Sequence, residues 1–351
     1  VTIFGVYDLT MRVGAARLRA AGVNLEFTDP EYRDQDVFRQ TASASIDAIR
    51  PRGYDLSVAF GNEAFFSDLG YTFGWRELMW FVRTSDLPAQ APTFDLQPFE
   101  PVHRDDLAAL YNQEHDTLTG TAVRPTYLRN KHPGDFQGYL WTGEDGAPAG
   151  YVIVGPEATR GWRNPATVGA NHRGYESLLW HDESAGDPEA RLRVLGMLAR
   201  QLGCAEVAFD RLHYLSPLGR RVRQMRCRIA QQYRAYVLRI VNLPSLFEKL
   251  APVLSQRLSA SPLANWSGTL LVASEDESVT LSIERSQVRV GPPAESPNAV
   301  HAGRALAQLV VGSDAPAETV QATGITLSGQ AAPIVEILFP MQYPQMDNQA
   351  L

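Results

Sequence analysis

Six consecutive residues, Arg33, Asp34, Gln35, Asp36, Val37 and Phe38, place charged and hydrogen-bonding side chains where a strand gives way to a helix. Before them Val23, Leu25 and Phe27 alternate with Asn24 and Glu26, the period-2 signature of a strand, and Pro30 ends it. After them Val37, Phe38, Thr41, Ala44, Ser45 and Ala48 recur at helical spacing, so a helix is expected from near Gln35 to before Pro51. A helix N-terminus aimed at the end of a strand offers unpaired backbone N–H groups and the positive end of the helix dipole, which is the chemistry of an anion site. Two aspartates work against it. A carboxylate about 5 Å from a bound anion repels it by roughly 3 kcal/mol at an effective dielectric near 20. Asp36 is placed to do this and Asp34 to add to it, while Arg33 and Arg39 offset part of the cost. The alternative is that both aspartates cap the helix with their own carboxylates. Glu26 is a base towards an amine if it faces a cleft, and a solvated strand carboxylate otherwise.

The elements that must position these groups extend both ways along the chain. Residues 1–9 and 11–21 read as a strand, a turn and a second strand leading into 23–27. Residues 53–61 read as a buried strand, 62–71 as a short helix ending at Gly70, and 75–83 as a closing strand. The proline-flanked run 88–92 is a linker, after which the pattern restarts. A strand over 94–99, a helix over 104–117, a hairpin of 139–144 with 149–154 and a strand over 176–181 are expected. A helix then runs from Asp187-Pro188 through Leu202, with a strand over 206–209. Arg220, Arg221, Arg223, Arg226 and Arg228 form the most basic run, suited to a phosphate or an acidic partner, or simply to a solvated or interface helix face. From residue 237 the texture changes: a strand over 237–241, an amphipathic helix over 246–258, short strands over 268–273, 278–283 and 287–290, and a helix over 302–311.

Composition narrows the classes. The 351 residues suggest two or three domains, and a hydrophobic content of 44% is ordinary for a globular chain. Lys plus Arg number 32 against 39 Asp plus Glu, a net charge of −7, which argues against a nucleic-acid partner. Cys204 and Cys227 are too few for a disulfide framework, which suits a reducing cytoplasm. No apolar run reaches membrane-spanning length. The seven histidines show no metal-ligand spacing, so no metal is expected. The chain opens on Val1, which leaves a processed leader open.

The 33–38 segment resembles the acyl-CoA pyrophosphate loop of the GNAT acetyltransferase superfamily, R/Q-x-x-G-x-G/A, with Asp36 standing where the central glycine would be. Farther on, Phe66, Ser67, Asp68, Leu69, Gly70 and Tyr71 resemble the pattern Y-x-x-x-G-Y/F, in which the first tyrosine protonates the departing thiolate. Phenylalanine cannot do so, which leaves Tyr71, Tyr54 or a neighbour as a stand-in acid. The resemblance implies an α/β (α+β) chain of tandem GNAT-like mixed sheets flanked by helices, followed by a sterol carrier-like α+β domain. Residues 1–92 would form the first GNAT-like domain, with an N-terminal part expected to lie outside this chain. Residues 93–236 would form a second without a phosphate loop, and 237–351 a sterol carrier protein-like domain. The last rests on GTLLV and the ALAQLVVG helix, and either encloses an apolar tunnel or serves as a packing or oligomer-building domain that holds no lipid.

That domain order resembles the Eis-type acetyltransferases. It implies an enzyme that moves an acetyl group from acetyl-CoA to a primary amine of an aminoglycoside, polyamine or lysine side chain, in a cytoplasmic homo-oligomer. Implied cofactor contacts come from Phe27, Thr28, Arg33, Asp34, Gln35, Asp36, Val37, Phe38, Asn62 and Phe66. Implied catalytic roles fall to Glu26, Tyr71 and Leu351, the last as a C-terminal carboxylate. The rival reading is a catalytically silent scaffold of the same fold that binds an apolar or cationic small molecule.

Overall fold

A computed structural model describes residues 2–124, 137–155 and 178–346, and of residues 24–26, 33–35 and 232–234 it describes the backbone alone. Up to residue 83 the elements are β1 (Thr2–Val13), β2 (Ala16–Thr28), α1 (Val37–Asp47), β3 (Leu56–Gly61), α2 (Glu63–Ser67) and β4 (Thr72–Arg83). From there to residue 240 come β5 (Gln97–Pro98), α3 (Arg104–Glu114), β6 (Gln137–Thr142), β7 (Pro148–Gly155), β8 (Leu178–Gly186), α4 (Pro188–Gln201), β9 (Glu206–Asp210), α5 (Pro217–Arg223) and β10 (Cys227–Ile240). The remainder holds α6 (Leu243–Ser259), β11 (Gly268–Ala273), β12 (Ser278–Glu284), β13 (Gln287–Gly291), β14 (Ala299–His301), α7 (Leu306–Val311), α8 (Pro316–Thr323), β15 (Thr326–Ser328) and α9 (Ala331–Leu338).

Ten strands form one mixed sheet in the order β1-β2-β3-β10-β4-β9-β8-β7-β6-β5, and five form a second in the order β13-β12-β11-β14-β15. An antiparallel pair, a helix, a strand parallel to the second of the pair, a helix and a last strand occur in that order twice. They run first through β1, β2, α1, β3, α2 and β4, then through β7, β8, α4, β9, α5 and β10. Each last strand has crossed over. β10 lies between β3 and β4, and β4 lies between β10 and β9, so each half of the sheet is completed by the other. Position 236/237, the expected start of the third domain, falls inside β10.

One face of the first half packs Ala21, Val23, Ala59 and Val237 against Ile46 of α1 and Phe66 of α2. The other face packs Leu18, Val58, Trp75 and Leu238 against Leu246, Leu250 and Leu254 of α6. At this seam the fully buried Asp55 carboxylate accepts from Arg19 N at 2.6 Å, Ser245 Oγ at 2.6 Å and Lys249 Nζ at 2.5 Å. The second half packs Trp80, Val152, Leu179 and Phe209 beneath Leu192, Leu195 and Leu218 of α4 and α5. Loop residues Thr121 and Val123 hydrogen-bond to Arg12 and Thr10 on the outer edge of β1, so the C-terminal end of that edge is covered. Beyond α9, residues 340–346 run without regular structure between the halves. Thr119 Oγ1 donates to Gln342 Oε1 at 2.6 Å, Gln345 N donates to Thr119 O at 3.1 Å, and Tyr343 stacks on Tyr214 with centroids 4.0 Å apart.

The structure corrects several sequence readings. The first hairpin turns at Gly14 (φ 54°) rather than near Thr10, because Val13 pairs with Ala16, and residues 16–28 form one strand instead of two. The strand expected over 94–99 shrinks to Gln97–Pro98, since Pro98 has no N–H for a ladder and the segment is an exposed edge. Residues 176–177 of the expected 176–181 strand lie outside the described residues, and the strand runs on to Gly186. Among the described residues no helix is long and apolar enough to cross a membrane.

Candidate active site

The site is built at the C-terminal ends of β2 and β3. These parallel strands pair from Ala20 with Leu56 to Val23 with Ala59, and then both run on, β2 to Thr28 and β3 to Gly61, without pairing to each other. A fork opens there. Between Ile3, opposite Phe27, and Gly5, opposite Asn24, β1 spends one residue and β2 spends two, Leu25 and Glu26. A bulge of this kind leaves a residue out of the ladder and bends its strand, here beside the fork. Crevices at the carboxyl ends of parallel strands, flanked by helix N-termini, are where α/β sheets bind ligands.

The sequence between β2 and α1 folds as a six-residue 3-10 helix, Pro30–Gln35, entered through Asp29, whose carboxylate accepts from Glu31 N at 3.2 Å. Asp36 then takes φ 56°, ψ 12° and leads into α1. This left-handed conformation is the one glycine adopts without cost, which gives a backbone reason for glycine at this place in the motif. The capping alternative fails for Asp36: its carboxylate makes no cap hydrogen bond and instead lies 3.1 Å from Arg39 Nε, with both side chains more than half exposed. Val37 and Phe38, the first two residues of α1, are half-buried and supply two of the N–H groups that a helix leaves unpaired at its start. The backbones of Arg33, Asp34 and Gln35 belong to the 3-10 helix, and that of Glu26 to the bulge. Phe27 is 52% exposed and faces Ile3 across the hairpin, while Thr28 ends β2 half-buried.

On the β3 side, Asn62 caps α2 by accepting from Ala64 N at 3.0 Å. Phe66 is fully buried and lies so close beneath Gly61 that a Cβ there would sit 3.0 Å from its Cε2. Tyr71 is 1% exposed, edge-on to Phe66 at 5.3 Å, with its hydroxyl 2.6 Å from Ser57 Oγ. Ser57 donates its own proton to Ala21 O at 2.9 Å, so the tyrosine is the donor of the pair and its proton is engaged inside the core. Tyr54, buried, carries the Arg19 guanidinium 4.4 Å over its ring. Leu351 lies outside the described residues.

One cluster near the fork escaped the sequence reading. Glu77, fully buried in β4, pairs with Arg211 Nε at 2.5 Å and accepts from Tyr236 Oη of β10 at 3.1 Å. The Tyr236 ring lies 4.8 Å from that of Phe60, whose Cα it faces one step past the last β2–β3 pair. Arg211, at φ 52°, is 5.7 Å from the same ring. The signal in the sequence was an acid in register with Trp75 and Met79, on the buried side of WRELMWFVR.

The second half of the sheet repeats the fork and bulge without the loop. β8 and β9 pair up to His181 with Phe209, Asp182 is the bulged residue, and only Asp187 separates β8 from α4, its carboxylate taken by Ala190 N at 2.7 Å. Arginines of the basic run are drawn into local contacts. Arg221 pairs with Glu189, Arg223 covers Tyr214 at 3.9 Å, and Arg228 covers Phe81 at 3.9 Å while reaching Glu206 at 3.1 Å. Among the described residues no group of three metal-ligating side chains converges.

No protein-family model matches the sequence, and no curated protein sequence does. Solved structures do match. A GCN5-related N-acetyltransferase from Anabaena variabilis has a TM-score of 0.73 at 17% identity over 98% of this chain and 85% of that one. Another from Kribbella flavida has a TM-score of 0.70 at 18% identity, over 99% of this chain and 83% of that one. Eis1 from Mycobacterium abscessus has a TM-score of 0.61 at 16% identity, over 98% and 85%. Together with the fork, the bulged strand and the helix that follows it, these likenesses give the chain the GCN5-related N-acetyltransferase fold.

Proposed function

We propose that this chain is an acetyl-CoA-dependent N-acetyltransferase acting on a primary amine of a small molecule or a lysine side chain. One observation carries the proposal: the bulged end of β2 opens a fork with β3 directly below the N-terminus of an eleven-residue helix. The phosphates of the co-substrate would lie against the N–H groups of Asp36, Val37 and Phe38, and its thioester in the fork. There a backbone N–H at the bulge would meet the carbonyl oxygen as it gains charge. The neutral amine attacks the carbonyl carbon, a C–N bond forms and the C–S bond breaks. The amine gives up its extra proton to water or to a base such as Glu26, and the thiolate leaves. With Phe66 apolar and Tyr71 engaged, water protonates the thiolate. A general acid contributes about 10² or more in rate, so turnover is expected at the low end of the class.

The reading also includes a homo-oligomer in the cytoplasm, no nucleic-acid or membrane partner, and a sterol carrier-like third domain whose interior is filled by its own side chains, among them Phe247, Leu306 and Phe339. Full-length protein should acetylate at least one member of a panel of polyamines, aminoglycosides and lysine peptides, with release of free thiol. No transfer to any of them would sink the proposal. The second reading, a silent scaffold, draws support from the Asp36 carboxylate at the phosphate seat and the missing acid. Tight binding of an apolar or cationic compound with no affinity for CoA would favour it.

A further inference from the structure

The chain places a row of aromatic rings across the route that the proposed co-substrate would take. Phe38 stands in the first turn of α1, and Phe65 on α2 meets it with ring centroids 5.1 Å apart. Phe4 of β1 adjoins Phe38 at 6.2 Å, and Phe66 adjoins Phe65 at 5.1 Å. α1 follows the β2 arm of the fork and α2 follows the β3 arm with only Asn62 between, so one helix continues from each arm. A molecule with its phosphates at the start of α1 and its thioester in the fork would pass its pantetheine arm between the two helices. The Phe38–Phe65 contact links them there. Both residues are half-buried, whereas Phe66 and Tyr71 behind them are fully enclosed, so the outer pair is free to part while the inner pair holds the floor.

We infer that Phe38 and Phe65 form a gate that acyl-CoA must part to reach the fork, and that Phe65 is a pantetheine-contacting residue. This rests on the acyl-CoA reading above. The sequence motif pointed to Phe38 and Phe66; Phe65 is singled out by the ring contact alone.

The test is the binding of CoA to full-length wild type, Phe65→Ala and Phe65→Leu, with association and dissociation rates measured separately and folding checked by thermal unfolding. Breaking one tilted aromatic pair should raise the association rate about two- to tenfold in Phe65→Ala, with Phe65→Leu between it and wild type. Binding by the variants alone would support the gate in its strongest form. An unchanged association rate with faster dissociation would overturn the gate and leave the acyl-CoA reading standing, because a residue that only lines the route acts on release. No binding by any of the three would overturn both.

Discussion

Replacing Asp36 by glycine separates the backbone demand of the proposed phosphate seat from its charge. At φ 56° an L side chain pays about 1 kcal/mol that glycine does not. The change also removes the Asp36–Arg39 pair, whose side chains are 56% and 60% exposed, and such pairs are worth under about 1 kcal/mol. These effects oppose each other, so stability should change by less than about 1 kcal/mol. Affinity should change more. A carboxylate and a phosphate charge about 5 Å apart repel by about 3 kcal/mol at an effective dielectric of 20 and by under about 1 kcal/mol in bulk water. Half-exposure places Asp36 between these limits, near 1.5 kcal/mol, or about tenfold in the dissociation constant for acetyl-CoA. Titration calorimetry at about 0.05 M and about 0.5 M salt checks both magnitude and cause, since screening must shrink an electrostatic gain. Equal affinities at low salt, or a gain that persists at high salt, would refute the reasoning.

His213 makes a prediction about acid. Burial, then the neighbouring His115, lowers its pKa to about 3, while its Nε2 lies 3.1 Å from Thr119 O. The unfolded chain therefore binds the proton that the folded chain refuses. Stability is full above about pH 6.5 and is lost as pH falls towards 3, by up to about 5 kcal/mol. Urea midpoints should fall steeply across that window and less steeply in His213→Gln; identical slopes would remove His213 as the cause. Gly120→Ala, at φ 90° with a Cβ 2.7 Å from Gln345 N, should cost about 2–3 kcal/mol and speed hydrogen exchange in residues 340–346. Phe66→Tyr should lose about 1–3 kcal/mol without faster turnover, because its hydroxyl would be buried beneath Gly61; a tenfold faster enzyme would show that the ring reaches the fork.

Local signals were legible where local physics decides. Asp187-Pro188 announced α4, where the aspartate caps the helix and the proline occupies its first turn. The alternating strands after Gly268 lie where expected because each buries one face. β10 was legible only from Val237. Its first half, CRIAQQYRA, has no clean alternation, and it becomes a strand because β4 pairs with it from across the sheet. α8 and α9 went unread; α9, AAPIVEIL, is a short apolar run whose spacing does not separate helix from strand. At the site, the strand, turn and helix around Asp36 could be read, but its left-handed backbone and its bond to Arg39 could not. Glu77, Arg211 and Tyr236 are far apart in the chain, so only the crossed strands reveal them as one group.

The exchange of β4 and β10 bears on how the chain reaches its fold. Ala235 pairs with both Gly61 and Arg76, so the middle of the large sheet cannot close until about two-thirds of the chain is available. Loop closure over such distances is slow, and a nascent first half waits with the edges of β3 and β4 unpaired. Those edges are templates for another copy. The same strands that unite the two halves within one molecule are therefore the ones through which two molecules refolding together at high concentration would exchange arms, giving a domain-swapped dimer as the characteristic misassembled product.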